Sequence, residues 1–163
     1  MKISILCVGR IKEKYWNDAI AEYTKRLSRY CSLQIREVPD EAVPDNASPA
    51  LEAQILDTEG KRLMKCIGSD SGSGSFVIAL AIDGKKMDSV RLSEKIGSLT
   101  VSGYSHILFV IGGSLGLSDQ VLKRADMKLS FSDLTFPHQL MRVILLEQIY
   151  RSFRILHHEP YHK

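Results

Sequence analysis

Residues 107–142, ILFVIGGSLGLSDQVLKRADMKLSFSDLTFPHQLMR, decide the fold and hold most of the functional information in the chain. An apolar run, Ile107 to Ile111, stops abruptly at Gly112-Gly113-Ser114-Leu115-Gly116. A second short run, Leu129 to Phe131, enters a polar turn, after which Pro137-His138 opens a long apolar helix. Two strand ends therefore feed two tight loops, and glycine lets a ligand approach the main chain closely. The pattern suits a bound nucleotide-like ligand better than a plain core. His138 and Arg142, four residues apart, share one helical face.

Working outward, Lys2 to Gly9 reads as a strand ended by glycine, and Glu13 to Tyr30 as a helix with Trp16, Ala19, Ile20, Tyr23 and Leu27 at helical spacing. Leu33 to Val38 alternates as a second strand, and the proline- and acid-rich stretch 39–49 is a loop. Ser48-Pro49 starts a helix running to about Ile67, with Gly60 as a mild internal cost. Gly68 to Ser75 is a connector, and it lacks the Gly-Lys-Ser/Thr ending of a phosphate loop. Phe76 to Ile82, apolar throughout, is a strand covered on both faces, and Asp83-Gly84 is expected to turn the chain. Helices are expected over 89–100, 118–125 and 137–156, and strands at His106 to Ile111 and Leu129 to Phe131. This alternation predicts one α/β domain over 1–163, a mainly parallel sheet flanked by helices. A dinucleotide fold would need its glycine-rich turn after the first strand, where only Gly9 stands.

The composition, 44% hydrophobic and 25% charged, is that of an ordinary globular chain, and no apolar run approaches membrane-spanning length. Cys7, Cys31 and Cys66 are odd in number and scattered, which predicts reduced thiols, a cytoplasmic location and no metal site. The net charge of +3 is unevenly spread, with seven basic and three acidic groups in residues 1–30 and the reverse bias, one against seven, in 31–60. Such a spread becomes a nucleic-acid footprint only if folding gathers the basic ends on one face.

From KISILCVGRIKEKYWNDAIAEY through FVIGGSLGL and LSFSDLTFPHQLMRVILLEQIYR to the terminal YHK, the chain resembles the ribosomal large-subunit RNA pseudouridine methyltransferase family (RlmH), among the knotted SPOUT methyltransferases. The resemblance covers essentially all 163 residues, and two loops combined with Pro-His-x-x-x-Arg make it specific. It implies a C-terminal trefoil knot, which general topology rules would have excluded. It also implies S-adenosylmethionine as methyl donor, contacted by Leu80, Gly112 and the segment Phe131, Ser132, Asp133, Leu134, Thr135 and Phe136. Without it, Leu80 would be read as a core leucine.

The implied reaction is methyl transfer to N3 of a pseudouridine in large-subunit ribosomal RNA. The small size and lack of an added RNA-binding domain point to a preformed substrate surface, the assembled ribosome. His138 or His162 is expected to take the N3 proton, Arg142 to stabilise negative charge on the base, and Tyr161 to stack on it. Arg154 and Lys163 are expected to meet RNA phosphate, although pairing of Arg151 and Arg154 with Glu147 is the plainer reading of those two arginines. The last helix, apolar around much of its circumference, predicts a homodimer with the tail reaching the partner's pocket. A transfer-RNA methyltransferase and a non-enzymatic ribosome-binding module are the rival readings.

Overall fold

The computed structural model describes residues 1–70, 72 and 74–162. Five strands, β1 (Lys2–Val8), β2 (Ser32–Val38), β3 (Ser75–Lys86), β4 (His106–Ile111) and β5 (Met127–Ser130), form one parallel sheet in the order β2-β1-β4-β3-β5. Among the described residues, four helices connect them, α1 (Lys14–Leu27), α2 (Pro49–Asp70), α3 (Ser89–Val101) and α4 (Asp119–Arg124), and α5 (His138–Leu156) follows the last strand.

Strand periodicity divides the core between the two faces of the sheet. Ile3, Ile5, Cys7, Ile107, Phe109 and Ile111 pack with buried residues of α1, α3 and α5. Leu6, Val8, Leu108 and Val110 pack with Leu63 and Ile67 of α2 and Val121 of α4. Helices on both faces leave β4 without an exposed residue, which is why it reads as an unbroken apolar run. The polar residues His106 of β4 and Ser4 of β1 pair with each other, His106 Nε2 lying 2.8 Å from Ser4 Oγ. Burial pushes the Cys7 thiol up to about 12 and Cys31 to about 11, so both are unreactive core groups.

β3 departs from expectation. Asp83-Gly84 does not turn the chain out of the sheet, since the strand runs on to Lys86. The pairing with β5 slips instead, so that Leu129 is opposite both Leu80 and Lys85 and the intervening residues are displaced from the ladder. Gly84 permits this. A Cβ there would stand 2.7 Å from the Leu129 carbonyl carbon and 2.8 Å from Leu129 N. Gly84→Ala is therefore expected to lower unfolding free energy by about 1–3 kcal/mol, the usual range for overpacking. A chemical-denaturation midpoint equal to wild type would contradict that close approach.

The strand order places the site. From β5 at one edge, the chain reaches the start of α5 beside β1, three strand spacings or about 14 Å away. The 131–137 segment therefore runs across the carboxyl ends of β3 and β4. There α5 lies between α1 and α3, which accounts for much of its apolar breadth. Leu140, Val143 and Ile144 remain partly exposed along it.

Candidate active site

A cavity of about 620 Å³ opens where the carboxyl ends of β3, β4 and β5 meet the start of α5. Its size is that of a small-ligand site. Leu80 to Ile82, Ile111 to Gly116, Leu129 to Ser132 and Leu134 to His138 line it, with Met141 at the back. Two large apolar side chains at the cavity are left in solvent, Ile82 at 56% and Leu134 at 70% exposure. Among the predicted contacts, Leu80, Gly112, Phe131, Ser132, Leu134, Thr135 and Phe136 all reach the cavity. Asp133 does not, because its carboxylate turns outward to pair with Lys86.

The glycine loop is closed by its own backbone. Gly116 N donates to Gly113 O at 3.0 Å, and Gly116 holds a left-handed φ of +85°. A Cβ on Gly112 would lie 2.2 Å from Gly116 O, so glycine is required at 112 for the loop to fold against itself. The second loop is shaped by serines: Ser130 Oγ donates to Ser132 O, and Leu134 N donates to Ser132 Oγ at 3.0 Å.

His138 is half-buried in the cavity wall. Burial, reinforced by the Arg142 charge, holds its pKa below the ordinary histidine value, with Asp40 and Glu13 opposing. Its ring also borders a second cavity of about 340 Å³, lined by Arg10, Lys12, Glu13, Pro39, Asp40 and Gln139. Sequence reasoning missed Asp40 and this basic pair. The available signal was Gly9, whose φ of +84° and missing side chain let His138 Nε2 pack against it.

Arg142, expected to stabilise negative charge on the base, is not among the residues that line the cavity. It is 1% exposed. Nη1 donates to Glu37 Oε1 at 2.6 Å, and Nη2 donates to Val8 O at 3.0 Å and Gly9 O at 2.6 Å. The guanidinium therefore ties the first turn of α5 to the ends of β1 and β2 through Nη1 and Nη2, while Nε is buried without a partner among the described residues. Arg142→Ala is expected to cost about 1–3 kcal/mol, the scale for leaving buried acceptors such as the Val8 and Gly9 carbonyls without their donor, Glu37 itself being partly exposed. A thermal midpoint within a degree or two of wild type would refute that anchoring role.

The tail is not brought to the cavity within this chain. The Tyr161 ring packs edge-on against Tyr150 at 5.0 Å and under the Arg151 guanidinium at 4.7 Å. Its hydroxyl donates to Glu147 Oε1 at 3.2 Å, and burial together with the Glu147 charge pushes its pKa up to about 12. His162 Nδ1 lies 3.4 Å from Arg151 Nη1. Glu147 is about 14 Å along the helix from His138 and Arg151 about 20 Å. Arg151 pairs with Glu147 as expected, but Arg154 pairs with Glu159 and donates to Pro160 O and Tyr30 OH, so it too is engaged internally. Lys163 lies outside the described residues.

The sequence profile of the family described as "Predicted SPOUT methyltransferase" matches residues 1–162. The chain belongs to the SPOUT methyltransferase family. Membership implies a trefoil knot in the C-terminal half of the chain. A ribosomal RNA large subunit methyltransferase H from Bifidobacterium adolescentis is 60% identical over 163 residues, covering all of both chains. The protein of that name from Clostridium kluyveri is 54% identical over the same full span. Among solved structures, a probable methylase family protein from Haemophilus influenzae superposes with a TM-score of 0.58, covering 99% of this chain and 70% of its own, at 14% identity. That last likeness speaks to the fold alone. Among the described residues no group of three His, Cys, Asp or Glu side chains is arranged to hold a metal, and no helix is long and apolar enough to cross a membrane.

Proposed function

We propose that this SPOUT protein is an S-adenosylmethionine-dependent methyltransferase of large-subunit ribosomal RNA, acting on N3 of a pseudouridine in assembled ribosomes, as a cytoplasmic homodimer. The observation that carries the reading is the cavity at the strand ends, where two main-chain loops and the half-buried His138 converge. The names of the full-length relatives support RNA of the large subunit as substrate. The pseudouridine, its N3 atom and the ribosomal context come with the family resemblance.

The residues present fit the donor. Leu80, Ile82 and Leu134 offer apolar walls for an adenine, and the loop amides offer hydrogen bonds to its edge. When bound, the donor supplies an electrophilic methyl carbon on its sulfonium. The two loops would hold the donor and orient it toward the acceptor base, and such positioning is the larger part of what the reaction needs. His138, kept neutral by burial and by Arg142, offers a ring-nitrogen lone pair for the N3 proton at physiological pH. The other acceptor is His162 on the tail of a second subunit, with Tyr161 to stack on the base. Arg10 and Lys12, exposed at the cavity next to His138, suit an RNA phosphate. Calorimetric titration with S-adenosylmethionine tests the donor site directly. Saturable heat and a raised melting temperature are expected, and their absence would reject the reading in favour of a binding module.

A further inference from the structure

A carboxyl that the proposed mechanism does not use lies against the back of the glycine loop. Glu59 sits on the buried stripe of α2 between Ile55 and Leu63, and it is 4% exposed. Its Oε1 accepts the Glu41 backbone N–H at 2.9 Å. Its Oε2 is fully buried, with no hydrogen-bond partner among the described residues. A Cβ on Gly113 would stand 3.0 Å from that same oxygen, so the carboxyl lies directly against the loop. The next residue completes the grip. A Cβ on Gly60 would stand 2.2 Å from the oxygen of Ser118, the residue that caps α4 where the loop ends. Successive residues of α2 thus touch Gly113 in the glycine loop and Ser118 just beyond it, while Glu59 also accepts a hydrogen bond from the loop carrying Asp40, a neighbour of His138 at the second cavity.

We propose that Glu59 is a positioning residue of the donor site, a buried carboxyl that ties the Gly112–Gly116 loop to the Pro39–Glu41 loop and fixes the shape in which the glycine loop meets the donor. The proposal rests on the reading of the main cavity as the donor pocket. An orphaned carboxylate oxygen is costly in such a place, whereas a protonated carboxyl is tolerated. The charged groups facing it are Asp40 and Glu41 from the β2–α2 loop and Arg62 from α2 itself, while Gly113 and Val8 bring none from the strand side. Burial, first, and the two carboxylates raise its pKa; the Glu41 N–H and Arg62 oppose them. Arg62 is largely occupied, its Nη2 pairing with Glu41 at 2.5 Å and its Nη1 donating to Pro39 O at 2.8 Å.

The sign follows from linkage. A carboxyl with a raised folded-state pKa contributes its full stability below the ordinary carboxylate range and loses it as pH rises through the raised value. Ionisation should therefore loosen the loop, and an isosteric amide should not. The experiment measures S-adenosylmethionine affinity and melting temperature for wild type, Glu59→Gln and Glu59→Leu between about pH 5 and 9. Glu59→Gln should bind within about threefold of wild type at the acid end, hold that affinity as pH rises while wild type weakens, and gain melting temperature over wild type with pH. Glu59→Leu should bind at least about tenfold more weakly throughout. Equal affinity for wild type and Glu59→Leu overturns the positioning role, as does a Glu59→Gln loss equal to that of Glu59→Leu. Should Glu59→Leu not fold, the other two decide, and parallel pH profiles overturn the proposal. Failure of wild type itself to bind overturns the donor reading, a result distinct from equal affinity across the variants.

Discussion

Replacing Gly112 with valine should abolish donor binding, with affinity falling by at least about a hundredfold, or about 2.7 kcal/mol. The reason lies inside the loop. A Cβ at this position would stand 2.2 Å from Gly116 O and 2.4 Å from its carbonyl carbon, and both are backbone atoms that cannot rotate away. Valine adds two further methyl groups to that collision, so the Gly113–Gly116 bridge must open and the cavity wall it forms must move. The sheet beneath need not follow, because the buried residues of β4 end at Ile111. Far-ultraviolet circular dichroism should therefore show a folded chain while calorimetry shows no saturable heat. Gly68→Ala is the control, since no atom lies within 4 Å of a Cβ there and alanine favours its helix. A folded Gly112→Val protein that binds donor normally would remove the glycine loop from the site.

Deleting residues 160–163 should leave donor affinity within a factor of about three and lower methyl transfer by on the order of a hundredfold, the scale for losing a positioned acid–base group. Within one chain the tail packs on Tyr150, Glu147 and Arg151, well along α5 from His138, so its removal leaves every residue lining the main cavity in place. Its effect on turnover must then come through a second subunit. Mixing the truncated protein with Gly112→Val subunits tests this, because a mixed dimer retains one pocket with an intact loop facing one intact tail. Partial recovery of activity is expected. Normal turnover by the truncated protein would make the tail a packed terminus and leave His138 as the proton acceptor.

Much of the fold was legible because burial on both faces leaves a local signature. The apolar runs of β1 and β4 and the cap-then-proline start of α2 announce themselves without tertiary information. The continuation of β3 through Gly84 does not, since a glycine that permits close backbone approach looks like one that permits a turn until β5 is in place. The cavity-lining residues between Phe131 and Phe136, Asp133 apart, came with the family resemblance, as no periodicity distinguishes that loop from any other. Arg142 was visible as a helix-face cation near the site, but its acceptors are Glu37 and carbonyls more than a hundred residues away in sequence. Arg154 was obscured in the same way by Tyr30, whereas its ion pair with Glu159 is local in sequence. A signal for Glu59 did exist, an acid at i+4 from Ile55 and i−4 from Leu63 on an otherwise apolar stripe.

The most direct measurement is transfer of a labelled methyl group from S-adenosylmethionine to ribosomes purified from a strain lacking this protein, with free ribosomal RNA and transfer RNA alongside. Label should enter the large-subunit RNA of intact ribosomes. Nuclease digestion and mass spectrometry should place it on N3 of a pseudouridine, and ribosomes carrying uridine there should accept much less. Label in transfer RNA, or none in ribosomes from a protein that binds the donor, would contradict the proposed function.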